Sequence, residues 1–251
     1  MWIFLIGVGA GAFGTMLGLG GGIILVPALT LLMGVPIKQA VAASLVAVAA
    51  TSCAGVQAYL RAQLVDWRLG VRLLIPTLSG AVVGGLVVGY VSSDVIRWLF
   101  IAMIVYVLGQ MVWASRRPAP PDAERSTPGI VWGMRQRALA VGLSALGGLV
   151  SALLGVGGGV IQVPLMHTVL KAPLRRAIGT STFLIGATAS ASALLYLVQG
   201  ELQPEVVVPA TLGTMIGAQI GARLARRLPV PVLRWVFVAV MLYTVVRLAL
   251  R

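Results

Sequence analysis

The chain has 251 residues, 59% of them hydrophobic and 10% charged, with a mean hydropathy of +1.01 and a formal net charge of +13. Soluble domains carry about 25% charged residues, so this composition excludes an ordinary water-soluble enzyme. Nucleic-acid binding is set aside too: Lys and Arg sit in short clusters between apolar runs, as membrane topology requires, and not on a solvated domain suited to a polyanion.

Apolar runs of spanning length recur from end to end, and at about 20 residues per crossing the chain has room for about eight. The first, MWIFLIGVGAGAF from Met1 to Phe13, has no positive lead-in and is read as a retained segment, not a cleaved signal peptide. LGLGGGIILVP, from Leu17 to Pro27, then interrupts the run with Gly18, Gly20, Gly21 and Gly22. Glycine costs roughly 1 kcal/mol against alanine inside a helix, so residues 1–33 are expected as a glycine-broken segment, either one long crossing or a hairpin. The next helix carries Ser44, Thr51 and Gly55 at i, i+7 and i+11 on one face, with Gln57 close by. The single cysteine, Cys53, allows no internal disulfide or cysteine metal site and reads as a small packing residue. Pro76, Gly80 and Gly84 follow in a further apolar run, the glycines spaced for close helix packing. After Tyr106 comes SRRPAPPDAERSTPGIVWGMRQR, rich in proline and charge and expected as a surface linker over residues 115–137.

Beyond it the sequence repeats. A shift of 137 positions carries Gly20, Gly21, Gly22 and Pro27 onto Gly157, Gly158, Gly159 and Pro164. The same shift carries VPIKQAVAAS onto APLRRAIGTS and IRWLFIAMIVY onto LRWVFVAVMLY, while Pro76, Gly80 and Gly84 match Pro209, Gly213 and Gly217 at a shift of 133. Ser44 and Thr51 fall on Ser181 and Thr188, and Gly55 on Ser192. Repeat one is therefore assigned to residues 1–114 and repeat two to residues 138–251, with a second hairpin over 138–170.

Basic residues choose between a single crossing and a hairpin for each glycine-broken segment. With the linker cytoplasmic, single crossings split the 19 basic residues 10 inside to 9 outside, and hairpins split them 15 to 4. Cytoplasmic loops collect Lys and Arg, so hairpins are expected. Each half then holds a hairpin plus three helices, and the odd count inverts the second half. The expected fold is an all-α polytopic membrane protein of two inverted repeats with eight to ten membrane segments. Its linker is cytoplasmic and both termini are periplasmic.

Inverted repeats with glycine-interrupted segments are the architecture of secondary transporters, which bind substrate near the midplane. Helix N-termini attract anions, and glycine lets backbone turn and approach a ligand. Gly20, Gly21 and Gly22, with Gly157, Gly158 and Gly159, are therefore read as a paired anion cradle, because helix breaks in membranes line cavities. Ser44, Thr51, Ser181, Thr188 and Ser192 offer hydroxyls, and Gln57 and Gln162 offer amides. Those hydroxyls either donate to a ligand or bond back to their own helix; both readings stand. His167, the sole histidine, is the candidate for proton coupling or an interfacial residue. No Asp or Glu lies deep in an apolar run, so no metal site, cofactor or intramembrane enzyme is expected.

The glycine hairpins, Pro27, Pro164, VAASLVAVAATS (Val41 to Ser52) and AIGTSTFLIGATAS (Ala177 to Ser190) resemble those of the TauE/SafE sulfite-exporter family of bacterial inner-membrane permeases. The resemblance implies transport of small sulfur-containing anions such as sulfite, sulfoacetate or other organosulfonates. Export of an anion from a negative-inside cell runs downhill, which favours an exporter; a channel-like anion pore and a proton-coupled uptake permease are the alternatives. The expected partners are the small anion and the lipid bilayer, with a homodimer left open.

Overall fold

A computed structural model describes residues 1–16, 21–115, 134–224 and 230–249. The fold is all-α, and among the described residues there is no strand. The first segment is α1 (Trp2–Met16), and α2 (Gly22–Leu32) follows the glycine turn. Three longer helices complete the first half: α3 (Ile37–Arg61), α4 (Trp67–Val87) and α5 (Ser93–Ser115). The second half repeats the order with α6 (Met134–Leu154), α7 (Gly159–Pro164), a π-helical turn (Leu165–Val169), α8 (Leu174–Val198), α9 (Pro204–Leu224) and α10 (Val230–Ala249). The helix α6 begins at Met134, inside the stretch expected as linker. Among the described residues five helices are long and apolar enough to cross a membrane: α3, α4, α5 over Ser93–Gln110, α6 and α8. Both α2 and the α7–π segment are apolar but short, whereas α6, the first arm of the expected second hairpin, is of spanning length.

Helix ends follow local chemistry, and the repeat extends to them. Asp66 caps α4 by accepting from Leu69 N at 3.1 Å, which satisfies one orphan donor of the first turn. Past α2 the chain turns on Gly34 (φ 68), and Val35 N bonds back to Leu29 O at 3.2 Å, which satisfies a carbonyl of the last turn. The position matching Gly34 in the second half is Lys171 (φ 54). Past α8 it is Gly200 (φ 75) that turns, and its first-half match is Gln63 (φ 53). Each pair places a glycine in one half and a side chain in the other at the same left-handed position.

Packing exchanges elements between the halves. Helix α1 lies along α9, and α6 lies along α4. At the first contact Gly213, Gly217 and Gly221 of α9 meet the backbone of Phe4, Val8 and Ala12 in turn, so the two helices run parallel. At the second, Gly80 and Gly84 of α4 meet Ala145 and Leu149 of α6, again in parallel. These glycines let backbones touch, as small residues do between helices in lipid. At the centre α3 packs on its counterpart α8, with Gly55 beside Thr182 and Gly186 beside Ser52. Rising numbers on α3 meet falling numbers on α8, so these two run antiparallel. The main buried cluster threads this centre through Ala40, Val41, Leu45, Val48, Ile185 and Ala189.

Candidate functional site

The two glycine turns meet at this centre. Gly21 takes φ 76 at the start of α2, where the chain doubles back onto Ala10 of α1. In the second half the left-handed residues are Gly155 (φ 69) and Gly157 (φ 67); only glycine enters that region without steric cost. Gly158 and the buried Gly22 and Gly159 are glycines for a different reason, which is close approach. A methyl group on Gly22 would strike the Gly155 carbonyl and lie 2.8 Å from Ser44 Oγ. On Gly158 it would lie 2.8 Å from Gly147 O, and on Gly159 2.7 Å from Ile185 Cδ1 and 3.3 Å from Ser181 Oγ. Gly157 is wedged between Val48 and Ile185, themselves repeat mates. Gly20 and Gly18 lie outside the described residues.

Hydroxyls of the predicted site divide into three kinds. Ser44, fully buried, donates to Gly155 O at 2.6 Å and so ties α3 of one half to the glycine turn of the other. Thr51 donates to Ala47 O and Val48 O, and Thr188 to Leu184 O and Ile185 O, so both spend their protons on their own helices. Ser181 and Ser192 are buried and have no partner among the described residues. Gln162, 1% exposed, donates from Nε2 to Thr77 Oγ1 at 2.9 Å, while its Oε1 has no partner among the described residues.

Other predicted residues stand apart. Gln57 is exposed on α3, because 13 residues from Ser44 amount to about 220° of helical rotation, the far side of the cylinder. Cys53 is exposed, not a core packing residue as its apolar run suggested. His167 lies in the π-helical turn, half-buried, with Nδ1 3.0 Å from Ala172 O; eight residues past Gly159 place it about 12 Å along the hairpin. Among the described residues no three His, Cys, Asp or Glu side chains gather as a metal site would need. A cavity of about 340 Å³ opens at the other end of α2, lined by Thr30, Gly34, Pro36, Asp94 and Arg97, with Arg97 paired to Asp94 at 2.9 Å.

Among the buried polar residues that the sequence did not single out are Thr77 on α4, and Ser144 and Ser151 on α6. Ser144, Gly147, Gly148 and Ser151 fall at i, i+3, i+4 and i+7, a small-residue face that the sequence does display. Which helix receives that face depends on the pairing of α4 with α6, some 65 residues apart.

The sequence model of the family described as "Sulfite exporter TauE/SafE" matches residues 3–248. Among curated proteins, the chain is 26% identical over 217 residues to "Probable membrane transporter protein YunE" of Bacillus subtilis, covering 79% of this chain and 78% of that protein. It is likewise 26% identical over 237 residues to "Probable membrane transporter protein YdhB" of the same organism, covering 92% of this chain and 91% of the relative. A "Probable membrane transporter protein" of Haemophilus influenzae is 26% identical over 225 residues, covering 83% and 81%. No solved structure matches the chain.

Proposed function

The chain belongs to the sulfite exporter TauE/SafE family, and on that premise we propose that it exports small sulfur-containing anions, such as sulfite, sulfoacetate or other organosulfonates. It is a multi-pass membrane transporter. In this reading the anion binds where the glycine turns of two inverted repeats meet, and the repeats rock about the α3–α8 contact to open the site to either side. The antiparallel course of α3 and α8 and the parallel α1–α9 and α4–α6 pairs support that inversion. The linker is then cytoplasmic, both termini are periplasmic, and the membrane is the bacterial inner membrane.

One observation carries the reading: two buried glycine turns, one from each half, converge beside Ser44 and Ser181, with only neutral groups against them among the described residues. A buried cation there would hold an anion tightly and hinder its release; hydroxyls and amides bind it without the cost of burying a charge. Export needs no ATP, since each negative charge leaving a negative-inside cell gains about 2.3 kcal/mol per 100 mV. Proton-coupled uptake is the second reading, and His167 in its π-helical turn is what favours it, because such turns frequently mark functional sites.

The test is flux into and out of liposomes at a clamped potential, with sulfite, sulfoacetate, sulfate, thiosulfate and chloride. Saturable movement of a sulfur oxyanion that follows the potential supports the exporter. Non-saturating flux of every anion points to a pore, flux that needs a proton gradient points to uptake, and no flux at all refutes the anion cradle.

A further inference from the structure

The polar inventory of the two halves is unequal in a consistent way. Ser144, Ser151, Gln162, Ser181 and Ser192 are each no more than 1% exposed, and each has a side-chain atom without a partner among the described residues. Shifted back by 137 positions they fall on Gly7, Gly14, Leu25, Ser44 and Gly55. Four of the five polar groups have no polar counterpart in the first half. The fifth, Ser44, is already spent on Gly155 O. Repeat two therefore carries these open hydrogen-bonding groups, and repeat one contributes Thr77, the partner of Gln162.

Three of those groups gather at one dipeptide. Ser151 and Ser181 flank the same dipeptide: a methyl on Gly158 would lie 3.6 Å from Ser151 Cβ, and one on Gly159 would lie 3.3 Å from Ser181 Oγ. Gln162 sits one turn further along, its backbone N–H bonded to Gly158 O at 2.9 Å and its Cγ facing Gly147, one turn below Ser151 on α6.

The orientation of the Gln162 amide is fixed by its neighbour. Thr77 has one proton and gives it to Leu73 O at 2.5 Å, so toward Gln162 it can only accept, and Nε2 must face it. That leaves Oε1, a pure acceptor, buried and open. An open acceptor one helical turn from the dipeptide that two open hydroxyls flank suits a ligand that both accepts and donates. A fully deprotonated oxyanion offers Oε1 only repulsion between lone pairs.

We infer that Ser151 and Ser181 donate to an oxyanion that still carries an acidic O–H, and that this O–H donates to Gln162 Oε1, with Thr77 as the residue that positions the amide. The inference rests on the exporter reading above and narrows its substrate to the protonated monoanion. The groups that touch the ligand then come from repeat two, and the residue that positions the amide, Thr77, from repeat one.

The test uses the full-length protein in liposomes and compares two probes. One is sulfite, titrated from mostly hydrogensulfite to mostly the dianion, and the other is methanesulfonate, a monoanion with no O–H. For the wild type, initial rates should track the hydrogensulfite fraction and exceed those for methanesulfonate by about tenfold, one hydrogen bond's worth of discrimination. Gln162→Leu, which installs the residue found at Leu25, should bring the two probes within about twofold of each other. Thr77→Val frees the amide to flip and should lower the same ratio, whatever it does to the absolute rate. A wild type that moves both probes alike, or prefers the dianion, overturns the inference and leaves the exporter intact. A folded Gln162→Leu and a folded Thr77→Val that both keep the wild-type ratio overturn it as well. A wild type that moves neither probe overturns this inference, and the exporter reading falls with it only if sulfoacetate and thiosulfate do not move either.

Discussion

Adding one methyl group at Gly22 tests whether the two turns truly abut. Gly22→Ala drives a carbon into the carbonyl oxygen of Gly155 and places it 2.8 Å from Ser44 Oγ and 3.0 Å from Val48 Cγ2. Neither side yields easily, since Ser44 already grips that carbonyl at 2.6 Å and α3 is packed along α8. Overpacking of this kind costs about 1–3 kcal/mol, and loss of the Ser44 hydrogen bond adds about 1 kcal/mol. The expected penalty is the sum, about 2–4 kcal/mol. At about 2–4 °C per kcal/mol for a chain of this size, the melting temperature of the purified protein in detergent should fall by about 5–15 °C. Gly9→Ala and Gly142→Ala are the controls, because nothing lies within 4 Å of the added methyl in either. There alanine should stabilise the helix by about 0.5–1 kcal/mol. Combining Gly22→Ala with Ser44→Ala should cost less than the two single changes added together, because they damage one shared contact. If Gly22→Ala melts together with Gly9→Ala, the turns do not meet and the site built on their meeting is wrong.

Further outcomes follow from the same geometry. Replacing Lys171 or Gln63 by the glycine that the other repeat uses at the same left-handed position should stabilise by about 1 kcal/mol each, seen as a rise in melting temperature; a fall would mean the side chains earn their place by other contacts. Asp66→Ala should lose about 1 kcal/mol with the α4 cap while Asp66→Asn stays close to wild type, and equal melting of the two variants would deny the cap. A reporter fused within Gln199–Glu205 should score periplasmic, whereas a cytoplasmic score would undo the hairpin topology.

Much of this fold can be read from one sequence because a repeat supplies its own comparison. The shift that matches Ser44 to Ser181 also matches α3 to α8, and these two counterparts pack together at the centre. Left-handed turns at Gly21 and Gly157 follow from glycine runs inside apolar segments. The fate of Thr51 and Thr188 is harder to foresee: a hydroxyl on the inner face can serve a ligand or its own helix, and both threonines chose the helix. Gln57 was discoverable as an outlier, since its rotation about α3 is set by counting alone. The roles of Thr77, Ser144 and Ser151 were not, because they depend on α4 meeting α6 across the linker. Nor does proline predict the π-helical turn. Pro27 and Pro164 are matched, yet α2 continues regularly past its proline and the second hairpin does not.

The exchange of partners between the halves also sets a timetable. When the ribosome has finished α1, the surface that α1 needs, α9, is still about 200 residues from being made. At 5–20 residues per second the wait is roughly 10–40 s. Through it the glycine ridge of α1 and the matching ridge of α4 lie against lipid or an insertion chaperone. Assembly is then a late clasp of two half-built sheaves, each completing the other. Neither half made alone would hold its own first hairpin, and two halves made as separate chains should recover the fold only when they share a membrane.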